Sequence, residues 1–338
     1  MVGFRNKTIE RMHVLASLIP SKFLQKITFQ KLLLPFYHTV SDSSLPHVKH
    51  LYKIKNVSAF KNDLDFLLKN FDPIDYKSFI QHVSGEKKLR KPSFLLSFDD
   101  GLSEVYHTIA PILLEKGIPA IFFLNSAFID NKDLFFRFKA SLLIEELQKK
   151  IALEKELESF CTIGKSIQQT ILSVNYNNKD ILDVMAEKIG CDFKMYLHNN
   201  SPYLTNNQIS KLIDYGFNFG AHSIDHPEFQ YIPYEQQLEQ LRESVTFVCN
   251  KFGLDYRIFS FPFTDFKVSK QLFLQINTNA ITDCTFGCAG LKFDSAPNHY
   301  QRIALEVANI SAREVINTEY IYFIIKSLLG KQTIIRND

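Results

Sequence analysis

A chain of 338 residues, 46% hydrophobic and 22% charged, can bury a barrel-sized core and is too ordinary in composition for a disordered or fibrous protein. Its formal net charge of +3 excludes the dense basic surface of a nucleic-acid binder, so no nucleic-acid partner is expected. The five cysteines (Cys161, Cys191, Cys249, Cys284, Cys288) are odd in number and irregular in spacing, which favours free thiols in a reducing compartment over a disulfide frame.

Residues 1–31 hold six Lys or Arg against the single Glu10, a net of +5, interleaved with Leu, Ile and Phe. The apolar run from Val14 to Pro20 is short and Lys22 and Lys26 break up its continuation, so a signal peptide is not expected. The preferred reading is a basic amphipathic helix packed on the domain; a stretch lying on an anionic membrane surface is the alternative. The expected location is therefore the cytoplasm, with a peripheral position at the inner membrane face under that alternative.

Residues 32–39 read as the first buried strand, reaching His38. Residues 58–71 space Phe60, Leu64, Phe66, Leu67 and Leu68 as an amphipathic helix with Ser58 as its cap. Residues 94–101, Phe-Leu-Leu-Ser-Phe-Asp-Asp-Gly, form a short apolar run punctuated by Pro92 and Gly101, a strand that leaves the core at Asp99 and Asp100. Two adjacent carboxylates repel, so burying both requires a cation or a shared proton. An ordinary Asp-Asp-Gly turn is the competing reading. A helix over about 103–116, stopped by Gly117, and a strand over 119–124 complete a βαβ unit. The sheet is then parallel, and functional groups are expected at the carboxyl ends of its strands, where His38, Asp99 and Asp100 fall.

From about 130 to 203 the pattern turns helical, with stretches at 142–160 and 180–189 and no strand, which predicts an insertion between the third and fourth strands. It reads equally as a wall of the site mouth or as a structural hairpin. Thr205 and Gln208 form a capping box for the next helix. A fourth strand over 217–221 then delivers Gly220-Ala-His-Ser-Ile-Asp-His-Pro227, with His222 and His226 four apart. One carboxylate with two imidazoles is a facial ligand set that leaves positions open for water and substrate. A helix over 234–252 and strands over 256–261, 279–284 and 299–305 come next, the first of these strands ending at Pro262-Phe263-Thr264-Asp265. Ser311 and Glu314 cap the last helix.

Ser97-Phe98-Asp99-Asp100-Gly101 together with His222-Ser223-Ile224-Asp225-His226 resembles the first two motifs of the polysaccharide deacetylase (NodB-homology) family of carbohydrate esterases. The resemblance implies an α/β fold, an irregular (β/α)7 barrel over 32–338 interrupted by the insertion. It implies Asp99 as general base, and Asp100, His222 and His226 as ligands of a divalent metal, zinc first, with cobalt, nickel or manganese as alternatives. His38, Pro262 and Phe263 are expected to contact substrate, an N-acetylated saccharide of a glycan or lipid-linked intermediate.

Two departures from the family pattern matter. The third motif normally supplies an Arg that pairs with the base, and 259–265 has none, so Arg302 is the replacement candidate. No Leu-x-His stands near the seventh strand to act as general acid; Glu306, at the carboxyl end of that strand, is the candidate. A carbohydrate-binding relative without catalysis, or a hydrolase of a non-sugar amide or imide, remains the alternative function.

Overall fold

The computed structural model describes residues 2–161, 164–307 and 309–337. Eight short strand segments form one parallel sheet: β1 (Pro35–Tyr37), β2 (Leu96–Phe98), β3 (Ala120–Leu124), β4 (Asn218–Ala221), β5 (Ile258–Ser260), β6 (Cys284–Gly287), β7 (His299–Gln301) and β8 (Ile303–Ala304). Their order is β7-β6-β5-β4-β3-β2-β1-β8. The two ends of this order are one stretch of chain. β7 pairs with β6 and β8 with β1, and only Arg302 separates them. The seventh strand expected over 299–305 is thus split, and the split closes the barrel.

Strand alternation sorts the side chains. Phe94, Leu96 and Phe98 face outward into the helix layer, where they pack with Phe60, Leu64 and Phe122. Leu95, Ile121, Phe123, Ile258 and Phe286 fill the barrel interior. The same period of two turns Ser97 and Asp99 inward, where Arg302 bonds both.

The helix layer contains α1 (Val2–Ser17), α2 (Ser21–Thr28), α3 (Val57–Asn70), α4 (Tyr76–Val83) and α5 (Ala110–Lys116) before the insertion. The cap of α3 is Asn56, which accepts from the Ala59 N–H, and not Ser58. No helix is expected at α4 from the sequence, yet it plugs the amino end of the barrel with Tyr76 and Phe79 among the interior residues. Its apolar face spans only two turns, too short for periodicity to stand out.

The insertion holds α6 (Phe136–Lys149), α7 (Ile167–Ser173), α8 (Ile181–Ile189) and α9 (Phe193–Asn200), gathered around a second hydrophobic cluster with Phe138, Leu143, Ile171 and Met185, to which Val48 and Leu102 also belong. After it come α10 (Asn206–Asp214), capped by Thr205 and Gln208 as expected, α11 (Tyr234–Phe252) and α12 (Lys270–Thr278). The sixth strand lies at Cys284–Gly287, later than expected, because α12 runs to Thr278 and Asn279 and Ala280 form its exit turn. The last helix is α13 (Ala312–Leu328), with the Ser311–Glu314 capping box in place.

Gly220 is where β4 runs closest to its neighbours. A Cβ there would lie 2.6 Å from Ile258 Cγ1 and 2.7 Å from the Phe123 ring, both locked in the barrel interior. Gly220→Ala is therefore expected to overpack the barrel by about 1–3 kcal/mol. A urea midpoint equal to that of the parent protein would show that the interior yields without cost.

Candidate active site

The site sits at the carboxyl ends of the strands. The last rung of β2 is the bond from the Asp99 N–H to the Tyr37 carbonyl (3.0 Å). Asp100 and Gly101 then both adopt left-handed backbone, φ 72° and 63°. This double turn keeps Asp99 inside the barrel and swings Asp100 to its mouth. A side chain at 101 would meet Leu124 Cδ2 at 2.8 Å, so the residue after the carboxylates must be glycine.

The histidine loop is bent by the same means. Ser223 (φ 73°) and His226 (φ 63°) are both left-handed. Such strain in non-glycine residues persists only where the surroundings impose it. Ser223 Oγ accepts the His226 N–H (3.0 Å), and the Asn125 amide bonds the His222 carbonyl. Gln240 of α11 accepts the Ile224 N–H (2.9 Å).

Together these turns bring the side chains to one point. Asp100 Oδ1 lies 3.5 Å from His222 Nε2 and 3.2 Å from His226 Nε2. His222 Nδ1 faces the Ser260 carbonyl at 2.8 Å, which can only accept, so Nδ1 carries the proton and Nε2 offers a lone pair. Burial holds the His222 imidazole neutral, with its pKa lowered to about 4 although Asp99 opposes this. Burial works against ionisation of Asp100 too, but the neighbouring imidazoles, His226 foremost, hold its pKa well below the usual carboxylate range. Despite this crowding, Asp100 Oδ1 is buried without a hydrogen-bond partner, as is His226 Nδ1. A buried carboxylate oxygen that faces two imidazole nitrogens without a well-formed hydrogen bond to either is costly as it stands and fits a divalent cation. These three residues would hold one.

Asp99 has a different environment. Arg302 grips both its oxygens, Nη1 to Oδ1 at 2.8 Å and Nη2 to Oδ2 at 2.7 Å. The guanidinium is 1% exposed, and it also donates to Ser97 Oγ, Ser260 Oγ and the Gly287 carbonyl. Its carbon lies 4.3 Å from the Phe36 ring centre and 5.2 Å from that of Phe123. Desolvation alone would push the Asp99 pKa up; the Arg302 charge lowers it on balance. Residues 259–265 hold no Arg, and the guanidinium that pairs with Asp99 comes instead from Arg302, between β7 and β8.

Glu306 and His38 form the opposite side. His38 Nδ1 donates to Glu306 Oε2 (2.7 Å), and the Thr39 N–H donates to Oε1 (2.9 Å). Burial disfavours a charged His38, but Glu306, Asp100 and Asp99 outweigh it and raise its pKa to about 9. Both Glu306 oxygens are occupied, so this carboxylate is a partner of His38 and not a free proton donor. The proton of the pair resides on the imidazole.

These groups share a cavity of about 580 Å³. Asp99, Asp100, His222 and His226 lie at its base, with His38 and Glu306 beside them. The insertion contributes Phe135, Arg137 and Leu172 to the wall, and the segment after β1 contributes His50, Leu51 and Tyr52. Phe263 lines it as expected, packed 4.6 Å from His226. Pro262 is buried behind and is not among the lining residues, because the left-handed turn at Phe263 (φ 54°) carries only the later side chain into the mouth. None of the insertion's wall residues is marked in the sequence by more than an ordinary apolar or basic letter.

A second cluster of acids with a histidine, Asp265, Asp294 and His299, lies elsewhere. Arg336 bonds both carboxylates there, and Gln301 and His299 supply further hydrogen bonds, so these carboxylates already have protein partners.

A parallel barrel with carboxylates and imidazoles around a cavity at its strand ends is the layout of a barrel hydrolase. A family model for polysaccharide deacetylases matches residues 86–277, and the chain belongs to this family, hydrolases of carbon–nitrogen bonds other than peptide bonds. No curated protein sequence matches it. Among solved structures it is similar in fold to the Streptococcus pyogenes deacetylase PplD in complex with acetate (TM-score 0.56, 14% identity, covering 86% of this chain and 98% of that one). It is also similar to IcaB from Ammonifex degensii (TM-score 0.54, 16% identity, 86% and 97%).

Removing one partner of a buried ion pair strands the other, so Arg302→Met is expected to destabilise the fold by about 3–5 kcal/mol at neutral pH. Because the depressed Asp99 pKa contributes stability only above its unfolded value, the loss shrinks as pH falls through the acid range. Chemical denaturation of both forms from pH 3 to 7 checks this, and a pH-independent difference would contradict it.

Proposed function

We propose that the chain is a divalent-metal-dependent deacetylase of N-acetylated saccharides, with Asp100, His222 and His226 as the metal ligands. The observation that carries this reading is the buried, unbonded Oδ1 of Asp100 between two imidazole nitrogens. A bound cation of the zinc type would act as a Lewis acid toward the acetamide and make water acidic enough to react near neutral pH.

The remaining chemistry belongs to the protein. Asp99, held ionised and oriented by Arg302, takes one proton from the attacking water as its oxygen bonds to the carbonyl carbon. His38 stands across the same cavity with Nδ1 committed to Glu306, which leaves Nε2–H to protonate the departing nitrogen. The carbon–nitrogen bond breaks, and acetate and a free amine result. Glu306 fixes the tautomer and the charge of His38, an orienting role like that of a carboxylate behind a catalytic histidine. Phe263, Phe135 and Tyr52 offer flat apolar surfaces of the kind that pack against sugar rings.

Three outcomes test this scheme on an acetylated chitooligosaccharide with acetate release as readout. Asp99→Asn is expected to lower kcat by roughly 10²–10⁴ while metal content stays at the parent level. His222→Ala is expected to lose the metal itself, measured by elemental analysis, and chelation followed by zinc or cobalt should abolish and restore parent activity. Retained turnover after complete chelation would overturn the metal assignment.

The acid assignment has its own test. His38 keeps its proton up to about pH 9, and a bound cation moves that limit downward, so kcat should fall with rising pH at or below about 9. Glu306→Gln should shift this limb to lower pH, and His38→Gln should remove it. An unchanged limb in both variants would assign the proton donor elsewhere.

A further inference from the structure

The outer face of the N-terminal helices leaves large apolar side chains in water. α2 turns Ser21, Leu24, Gln25 and Thr28 inward. It exposes Phe23 (56%) and Ile27, and Phe29 just beyond its end is 83% exposed. The fold therefore buries small and uncharged residues of this helix and leaves its large apolar side chains outside. In α1, Val14 and Leu15 are exposed as well, and Leu18 just past its end is 76% exposed.

Basic residues stand among these apolar ones. Arg11, Lys22, Lys26 and Lys31 are exposed, and Glu10 is the one exposed acid among the described side chains of this segment. Residues 1–31 carry +5 against +3 for the whole chain, so the rest of the protein is net −2. Cations interleaved with bulky apolar groups along one exposed segment match an anionic interface, with acyl chains receiving Phe and Leu while lysines reach the headgroups. Large exposed apolar patches call for an occupant.

We propose that this face docks the protein on the surface of an anionic lipid bilayer. It lies in the interface and does not cross, since no described helix is long and apolar enough to span. A second copy of the chain is a poorer occupant, because a two-fold contact would press two faces of the same positive charge together. The hairpin is fixed to the barrel and not hung from it. His13 Nδ1 donates to Glu314 (3.0 Å), Arg313 donates to the Ser17 carbonyl (3.0 Å), and Asn317 donates to the carbonyls of Ala16 and Ile19. These partners lie in the first turns of α13, which begins just after Glu306, so the turn of the hairpin sits at the cavity end of the barrel. On the reading of the site given above, docking there would bring the cavity to a saccharide carried on the lipid surface.

Co-sedimentation of the full chain with vesicles tests the proposal without requiring turnover. Vesicles of phosphatidylcholine with 30% phosphatidylserine should bind the protein at low salt, and pure phosphatidylcholine should bind it at least tenfold more weakly. Lys22→Glu/Lys26→Glu should weaken binding to the anionic vesicles by on the order of tenfold or more. Phe23→Ser/Ile27→Ser/Phe29→Ser should do the same while leaving thermal unfolding and acetate release from a soluble substrate unchanged. Absence of binding to anionic vesicles, or binding indifferent to both variants, overturns the proposal. So does a concentration-dependent dimer that either variant dissolves, which would make a second copy the occupant. Vesicle binding with no acetate release from any substrate would leave the membrane face standing and reject the catalytic reading instead.

Discussion

One ion pair, Arg302 with Asp99, ties the chemistry of this protein to the closure of its barrel. Asp99 is 3% exposed, a depth at which an unpaired carboxylate would take up a proton. Arg302 prevents this, and it does so from the single residue between β7 and β8. One side of that residue pairs with β6 and the other with β1. The break that joins the sheet edges also points a guanidinium into the interior, to Asp99 at the end of β2, two strands away round the barrel. A barrel that failed to close at Arg302 would leave Asp99 without the charge that keeps it ionised, and a protein without Asp99 would have a buried cation at its seam.

The parts of the site legible in the sequence are those that chemistry restricts to few residue types. Asp-Asp-Gly after an apolar run has little freedom: one carboxylate must face in, the next must swing out, and the third residue must take a left-handed turn with no room for a side chain. His222 and His226 stand out because two imidazoles four apart beside a glycine suit a metal better than a core. Arg302 is legible because the family pattern expects a cation beside Asp99 and 259–265 holds none. The polar end of the barrel can therefore be sketched from the letters alone.

Packing and backbone direction set the parts that stay hidden. α4 is two turns long, and its place as the plug of the barrel depends on Phe286 and Tyr300, more than two hundred residues away. Pro262 and Phe263 are neighbours of similar apolar character, and only the positive φ at Phe263 decides which one reaches the cavity. Glu306 reads as an acid because it ends the last strand. Its hydrogen bond to His38, formed between the ends of the first and last strands, makes it a partner of that imidazole, and no local pattern in either segment announces the pairing.

The insertion illustrates how a segment with no catalytic letter becomes part of the site. Its Tyr176 hydroxyl and Lys179 ammonium both bond Asp225, at 2.8 and 2.5 Å, and Arg137 bonds Glu228 at 3.0 Å. Asp225 and Glu228 flank His226, so the insertion grips the loop that carries the second imidazole from both sides. Phe135 packs on the same imidazole at 4.3 Å. The left-handed conformation of His226 is thus imposed from outside the barrel as much as from within it. A wall residue here acts twice, shaping the cavity and holding the ring, so exchanging the insertion for another would alter the substrate space and the position of His226 together. The insertion is tied to the barrel on a second side as well, where Glu145 bonds His50, Ser141 bonds the Pro46 carbonyl and Tyr196 bonds His47, so its core and its polar edge are both completed by the segments around the cavity.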